Sequence, residues 1–330
     1  MKLLGIETSC DETAAAVWVD DHLASNVIAS QDVHKEWGGV VPELASRQHV
    51  KLIVPVVEAA LSEAGVGKQQ LDGIAVTYGP GLAGALLVGL NFAKALALGL
   101  DLPFVGVNHL EGHLFSNSVL DAGPEPPFLA LIISGGHTEL VLVREWGRYE
   151  VLGKTRDDAA GEAFDKVAQM LELPYPGGPA IDQLAKNANP TLTFPRAVVK
   201  NEALAFSYSG LKTAVLYHLK SISPAEREKE KANIAASFQS AAIEVLVEKS
   251  LAALAEHRVA QLAIAGGVAR NSLLRQRLQE ESERLGFRLF IPPPQLCTDN
   301  AAMIVRAGKF YLEGGRPSDF SLSPQPSLSL

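Results

Sequence analysis

The chain opens with a strand, a short polar turn and a second strand, and the same pattern returns later. Lys2 to Ile6 is an apolar run, Glu7-Thr8-Ser9-Cys10-Asp11-Glu12-Thr13 is a polar turn, and Ala14 to Val19 is apolar again. Phe128 to Ser134, the turn Gly135-Gly136-His137-Thr138, and Glu139 to Arg144 repeat the arrangement. Apolar runs bounded by turn residues predict strands, and two such openings predict two related α/β halves. A turn of this kind gathers backbone N–H groups and hydroxyls at one point, which suits a phosphate. An ordinary β-hairpin carries the same signature, so each turn by itself leaves both readings open. Asp11 and Glu12 suit a metal or a water, and equally a solvated turn.

A chain of 330 residues supports one large or two medium domains, and 47% hydrophobic against 20% charged residues is ample for a packed core. The net charge of −8 counts against a stand-alone nucleic-acid binder. Two local basic clusters, Arg144-Arg148-Lys154-Arg156 and Arg270-Arg275-Arg277, read as solvated surface. Two cysteines, Cys10 and Cys297, give no disulfide framework and fit a reducing cytoplasm. Met1-Lys2 leads straight into a strand, so no signal peptide is expected. Leu82 to Leu100 resembles a membrane span, but Asn91 and Lys94 interrupt it, and a buried helix against a sheet is expected instead.

The stretch Asn108-His109-Leu110-Glu111-Gly112-His113 follows an apolar strand, Pro103 to Val107. Asn108 is a good N-cap. Histidines four residues apart on a helix differ by about 40° of rotation, so both imidazoles share one face and suit a divalent transition metal. Their place after a strand's C-terminal end is where ligand sites collect in α/β folds. Backbone hydrogen bonding by two structural histidines is the plain alternative. Glu111 lies about 200° from His109 and points away from that face.

Several glycine-rich loops follow strands. Tyr78-Gly79-Pro80-Gly81-Leu82-Ala83-Gly84 leads into a helix but lacks a Walker lysine and a Rossmann spacing. Gly161 to Ala168 begins an amphipathic helix, and Pro174 to Asp182 is a loop entering another. Asp165 and Asp182 are helix-surface carboxylates or acceptors for ligand hydroxyls. Gly266-Gly267-Val268-Ala269-Arg270-Asn271 is a third glycine turn after a strand, with Asn271 placed to cap a helix or to touch a ligand. Asp299 begins the last helix, as an N-cap or as a third metal ligand if the chain returns to His109 and His113. His34, Arg47 and His49 read as surface or interface residues. Ser221 to Lys231 reads as a charged mobile stretch before a long helix, Ala232 to His257. The tail from Gly314 is expected to be loosely held.

GIETSCDET, HLEGH, SGGHT and AGGVARN followed by CTDNAAM occur together in this chain, with GGVVPELASR, GEAFDKVAQMLELPYPGGPAID and FSYSGLKTA between them. On these segments, from residue 3 to about residue 312, the chain resembles the tRNA adenosine threonylcarbamoyltransferase family, whose bacterial branch was formerly described as a glycoprotease. The resemblance implies an α/β protein of the actin-like ATPase fold, with two ribonuclease-H-like lobes around a central cleft. It implies an N-terminal lobe over residues 1–108, completed by a C-terminal helix over about 301–325. A second lobe over 109–300 would carry most of the ligand site. His109, His113 and Asp299 would hold one divalent metal, Fe2+ or alternatively Zn2+. Ile132, Ile133, Ser134, Gly135 and Gly136 would line the ligand site. Asp165, Gly178, Asp182 and Asn271 would contact threonylcarbamoyl-adenylate.

The implied reaction moves the threonylcarbamoyl group to the exocyclic amine of the adenosine beside the anticodon, with release of AMP. The implied substrates are tRNAs that read codons beginning with A. Asp11 and Glu12 are the candidates for a general base. The resemblance also implies tRNA, a paralogous inactive subunit and a small P-loop ATPase as partners. Two other classes compete. A metalloprotease of the HExxH type needs a glutamate where Leu110 stands. An ATPase, kinase or scaffold of the same fold would share the phosphate-facing turns but would have no need of the histidine pair.

Overall fold

The apolar run Leu3-Leu4-Gly5-Ile6 forms the centre of a β-sheet, buried along its whole length. The computed structural model describes residues 1–120, 122–196 and 199–330. In chain order the first elements are β1 (Lys2–Glu7), β2 (Glu12–Val19), β3 (His22–Ser30), α1 (Pro42–Glu63), β4 (Gly73–Gly79), α2 (Ala83–Leu100), β5 (Phe104–Asn108) and α3 (His109–Phe115). Next come β6 (Phe128–Ile133), β7 (Thr138–Glu145), β8 (Arg148–Lys154), α4 (Ala160–Met170), α5 (Gly177–Ala185), α6 (Ser209–Ser221) and α7 (Pro224–His257). The chain ends with β9 (Gln261–Ala265), α8 (Ser272–Leu285), β10 (Arg288–Phe290), α9 (Pro294–Cys297) and α10 (Ala301–Glu313).

The chain divides into two compact units, Met1–Gly123 with Thr298–Leu330, and Pro124–Cys297. Each holds a five-stranded sheet, in the orders β3-β2-β1-β4-β5 and β10-β9-β6-β7-β8. The two orders are the same when β6 is matched to β1, β7 to β2, and so on. In both, the first three strands form an antiparallel meander, and the remaining strands run parallel to the first. The two hairpin openings in the sequence therefore do mark a duplicated α/β unit. The parallel strands require crossover helices, and α2 supplies the one between β4 and β5. The first boundary lies at Gly123 rather than at residue 108, because α3 packs on α10 and stays with the first sheet.

In the first unit α10 lies across β1 and β4. Gly308 makes this contact possible, since a Cβ there would collide with the Cβ of Ala75. Met303, Ile304 and Val305 are fully buried on this helix, and such side chains contribute about 1.5–3 kcal/mol each. Among the described residues α2 alone is long and apolar enough to cross a bilayer. Its Ala85, Leu86, Leu90, Ala93 and Ala97 are buried, as expected for a helix on a sheet, while Leu87 and Leu98 point outward.

Two stretches differ from the sequence expectation. The tail beyond Gly314 lies along the open edge of the first sheet. Ser318 N donates to Phe104 O (2.8 Å), Gly106 N to Ser318 Oγ (3.0 Å) and Gln325 N to Tyr78 O (2.7 Å). Gly81 N donates to Pro326 O (3.1 Å) and Asn108 Nδ2 to Ser329 O (3.0 Å). Hydrogen bonds to β5, to the end of β4 and to Gly81 outweigh the Pro- and Ser-rich composition. The charged stretch before Ala232 is helical, because α7 starts at Pro224. Ser223 accepts from Glu226 N (3.3 Å) while Glu226 accepts from Ser223 N (2.8 Å), a capping box that starts the helix early.

Four of the seven residues in the expected basic clusters are paired with acids, while Arg275 donates to the Ala269 and Pro292 carbonyls. Arg144 pairs with Glu150, Arg148 with Glu145, Arg156 with Glu202, and Arg277 with Glu244 and Glu280.

Candidate functional site

Strand β5 delivers Asn108 to the start of α3, and Asn108 Oδ1 accepts from Leu110 N (2.9 Å) and Glu111 N (3.4 Å). This cap fixes the first turn, so His109 and His113 share one face as their spacing requires. Glu111 faces elsewhere and accepts a hydrogen bond from Tyr311 Oη on α10 (2.6 Å). At the other end of the unit, Asn300 rather than Asp299 caps α10, with Oδ1 accepting from Met303 N (3.1 Å). The Asp299 carboxylate is left to face the histidines. Its Oδ1 lies 3.5 Å from His109 Nε2 and 3.3 Å from His113 Nε2. One ligand atom from each of the three residues falls within 4.8 Å of the others.

The surroundings set the histidine tautomer. His109 Nδ1 lies 3.0 Å from Glu7 Oε2 and 3.1 Å from Ser9 Oγ. A carboxylate accepts, so Nδ1 carries a proton, and Nε2, on the Asp299 side, is the nitrogen available to a metal. Glu7 is wholly buried at the end of β1 and also accepts from Ser9 N (2.5 Å) and Thr77 Oγ1 (2.5 Å). Burial would raise the Glu7 carboxyl, but the His109 imidazole outweighs it and lowers it. Burial would lower His109, but Asp299 and Glu7 together hold it well above the usual imidazole range. Asp299 is pulled well below the carboxylate range, its burial outweighed by His109 and His113. Burial lowers His113 in spite of Asp299.

These residues fit a divalent metal. His113 is completely buried, and neither ring nitrogen has a hydrogen-bond partner among the described residues. A buried polar atom without a partner costs about 1–3 kcal/mol, and a metal would satisfy Nε2. Metal bonds of about 2.0–2.2 Å place ligand pairs roughly 3–4.4 Å apart, close to the spacing found. The donor set of two imidazoles and a carboxylate suits iron or zinc.

The turn from Thr8 to Thr13 turns its groups inward. Thr8 Oγ1 donates to Ala85 O (3.0 Å), and the Ser9 N–H and hydroxyl are committed to Glu7 and His109. Thr8 thus ties the turn to α2, and Ser9 serves the His109 support, its N–H donating to Glu7 and its hydroxyl accepting from Nδ1. Burial, then Asp299 and Asp11, push the Glu12 carboxyl well above its ordinary value. His34 and His49, expected as surface or interface residues, are buried. His49 bridges Thr13 Oγ1 (2.8 Å) and Cys10 O (2.9 Å), which ties α1 to this turn. Only Arg47 of that group is exposed, paired with Glu43.

In the second unit Ile132 and Ile133 are wholly buried within β6, so only their backbone can reach a ligand. Ser134 closes the following turn, donating from N to His137 O (2.8 Å) and accepting from His137 N (3.1 Å). A Cβ at Gly135, Gly136 or Gly178 would meet nothing within 4 Å. Asp165 accepts from Gly177 N (2.7 Å), and Asp182 accepts from Ser272 N (3.2 Å) and Oγ (2.7 Å). Helix α5 thus brings Asp165, Gly178, Asp182 and Asn271 into one neighbourhood. Asn271 caps α8 through Leu274 N (3.0 Å) and donates to Gln239 Oε1 (2.9 Å).

Sequence reasoning places Glu7 in a polar turn and does not single it out. The signal was an acid ending an otherwise apolar strand, which must find partners when buried.

The family model of tRNA N6-adenosine threonylcarbamoyltransferase matches residues 22–306. The chain is 52% identical to the protein of that name from Clostridium perfringens, over 99% of this chain and 98% of the relative. It is 53% identical to the one from Salinibacter ruber, over the full length of both. Among solved structures, HypF of T. kodakarensis superposes with a TM-score of 0.62 at 16% identity, covering 95% of this chain and 48% of that one. Component A of the Acidaminococcus fermentans (R)-2-hydroxyglutaryl-CoA dehydratase gives 0.56 at 15% identity, covering 96% and 100%. These two likenesses concern the fold, which is the actin-like ATPase fold. With its relatives matched from end to end, the chain belongs to the tRNA N6-adenosine threonylcarbamoyltransferase family.

Proposed function

We propose that this chain transfers the threonylcarbamoyl group of threonylcarbamoyl-adenylate to N6 of the adenosine at position 37, beside the anticodon, in tRNAs that read codons beginning with A. The amine nitrogen bonds to the carbamoyl carbon, the bond from that carbon to the phosphate oxygen breaks, and AMP leaves with the electron pair. The amine gives up one proton. The observation that carries this reading is end-to-end identity of about half with transferases of that name. The His109, His113 and Asp299 group, its two histidines buried and its carboxylate half-buried, supports it.

His109, His113 and Asp299 are the proposed ligands of one divalent metal, Fe2+ with Zn2+ as the alternative. When bound, the metal supplies Lewis acidity and open positions for substrate oxygens. Glu7 and Ser9 hold His109 in the tautomer that offers Nε2. Asp11 and Glu12, in the same turn, are the proposed candidates for taking the amine proton. Ile132, Ile133, Ser134, Gly135 and Gly136 are proposed to present backbone to the adenylate, with Asp165, Gly178, Asp182 and Asn271 at the nucleoside and phosphate. A cytoplasmic location, a paralogous inactive subunit and a small P-loop ATPase belong to the same proposal.

A protease reading is disfavoured by Glu111, whose carboxylate is engaged by Tyr311 instead of serving a water near the histidines. The test is to incubate the metal-loaded chain and its partner proteins with threonylcarbamoyl-adenylate and unmodified tRNA, then digest the tRNA for nucleoside mass spectrometry. Threonylcarbamoyladenosine that depends on this chain, and disappears with His109→Ala, is the expected result. No product with metal and partners present would overturn the reading.

A further inference from the structure

The first unit holds a cavity of about 460 Å3 whose walls include Trp18, Asp21, Ser118, Val119, Arg306 and Lys309. That volume is in the range of small-molecule sites. The cavity lies toward the end of the sheet away from the metal group. Trp18 is paired with Leu3, and Glu7 is four residues further along β1, roughly 13 Å at strand spacing.

Arg306, half-buried on α10, is the cation of this cavity without an acid. Its guanidinium lies 6.0 Å from the Trp18 ring and 5.5 Å from the Phe115 ring, and its Nε donates to Ser118 O (3.1 Å). These contacts fix the plane of the group. Among the described residues no acceptor meets its two Nη groups, and no carboxylate lies within ion-pair distance. Lys309, on the next turn, takes both acids of this corner, Asp21 (3.4 Å) and Glu313 (2.7 Å). Burial therefore lowers Arg306, and Glu313 offsets this only in part. The unit is not short of acids, which outnumber Lys and Arg 17 to 9. A half-buried guanidinium that meets none of them is open to an anion from outside, since charge taken out of water needs a counter-charge.

We propose that this cavity binds a small phosphate-bearing anion, held by the Arg306 Nη groups beside Trp18. Parallel N–H donors on one planar group match two oxygens of a phosphate, and a plane already fixed by two rings loses little freedom on binding. Lys309 in the same wall favours a dianion over a monovalent carboxylate. The acid excess of the unit disfavours a long polyanion such as an RNA backbone, and the recess suits a detached phosphate or a phosphate monoester.

The test titrates the full-length chain with inorganic phosphate at constant ionic strength and follows indole emission. A saturable change that is absent from Trp18→Phe is expected, and acetate should produce none. Hydrogen bonds to a charged group are strong enough that Arg306→Gln should raise the Kd for phosphate about tenfold or more. Arg306→Lys keeps the charge, so it should melt near the wild type, yet it should bind phosphate several-fold more weakly because it lacks the fork. Phosphate affinity unchanged in both variants overturns the proposal, as does the absence of a saturable Trp18 signal in the wild type. A Trp18 response to an RNA stem-loop and not to inorganic phosphate overturns it in favour of nucleic acid, and an equal response to acetate overturns it in favour of a carboxylate.

Discussion

Glu7 and His109 meet at 3.0 Å in the interior of the first unit, a buried carboxylate holding the far side of an imidazole that faces Asp299. Such a partner orients the ring and raises its basicity as a ligand. Glu7→Gln keeps the shape and the Thr77 contact but removes the charge. It should weaken metal binding about 10- to 100-fold, read by competition with a chelating dye. Unchanged affinity would show that the pair is structural only.

The His113 ring nitrogens have no hydrogen-bond partner to lose among the described residues, so His113→Ala should leave the far-ultraviolet circular dichroism of the metal-free protein unchanged. A ligand held at a hundred times its Kd stabilises the folded state by about 2.7 kcal/mol. A chelator should therefore lower the melting temperature of the wild type and leave that of His113→Ala where it was. A chelator effect of equal size in both would place the metal elsewhere.

Gly79 lies directly beneath the C-terminal tail, and a Cβ at this position would collide with the backbone carbonyl of Gln325. Gly79→Ala should lift residues 325–330 off the sheet edge, removing the Asn108–Ser329 hydrogen bond with them. Carboxypeptidase digestion followed by intact-mass measurement should trim the variant well before the wild type. Equal trimming would show that the tail is held elsewhere.

Asp158 joins α4 to α6 by accepting from Lys166 Nζ (3.1 Å) and Lys212 Nζ (2.5 Å). Burial would raise its carboxyl, but the two ammonium groups outweigh this and hold it below its ordinary value. In the unfolded chain the group titrates near ~3.9. Its stabilisation is therefore complete above that pH and fades as pH falls through the lower folded value. Asp158→Asn should cost about 1–3 kcal/mol at pH 7. The gap to the wild type in urea denaturation should narrow below about pH 4. A gap that is constant with pH would assign the loss to packing.

Local signals carried much of this molecule into view before any coordinates. The period of four between His109 and His113, the capping asparagine before them and the placement of Glu111 away from the histidine face follow from helix geometry alone. The repeated strand–turn–strand opening announced the duplicated sheets. What stayed hidden depends on distant partners. Glu7 reads as a turn residue until Thr77 and His109 close around it. His34 and His49 read as surface until Gln31, Thr13 and Cys10 receive them. The tail looks unstructured because the β5 edge that orders it lies far away in sequence. The start of α7 was missed for a different reason, since the capping box at Ser223 and Glu226 is local and was masked by the density of charge after it.

The first unit is written in two pieces, with the whole of Pro124–Cys297 translated between them. Domains generally acquire structure from the N-terminus onward during synthesis. Here the first sheet must wait for α10, and His109 and His113 must wait for Asp299. The proposed metal site is thus completed late in biosynthesis: a ribosome stalled between His113 and Asp299 holds a chain with both imidazoles and without the carboxylate that faces them.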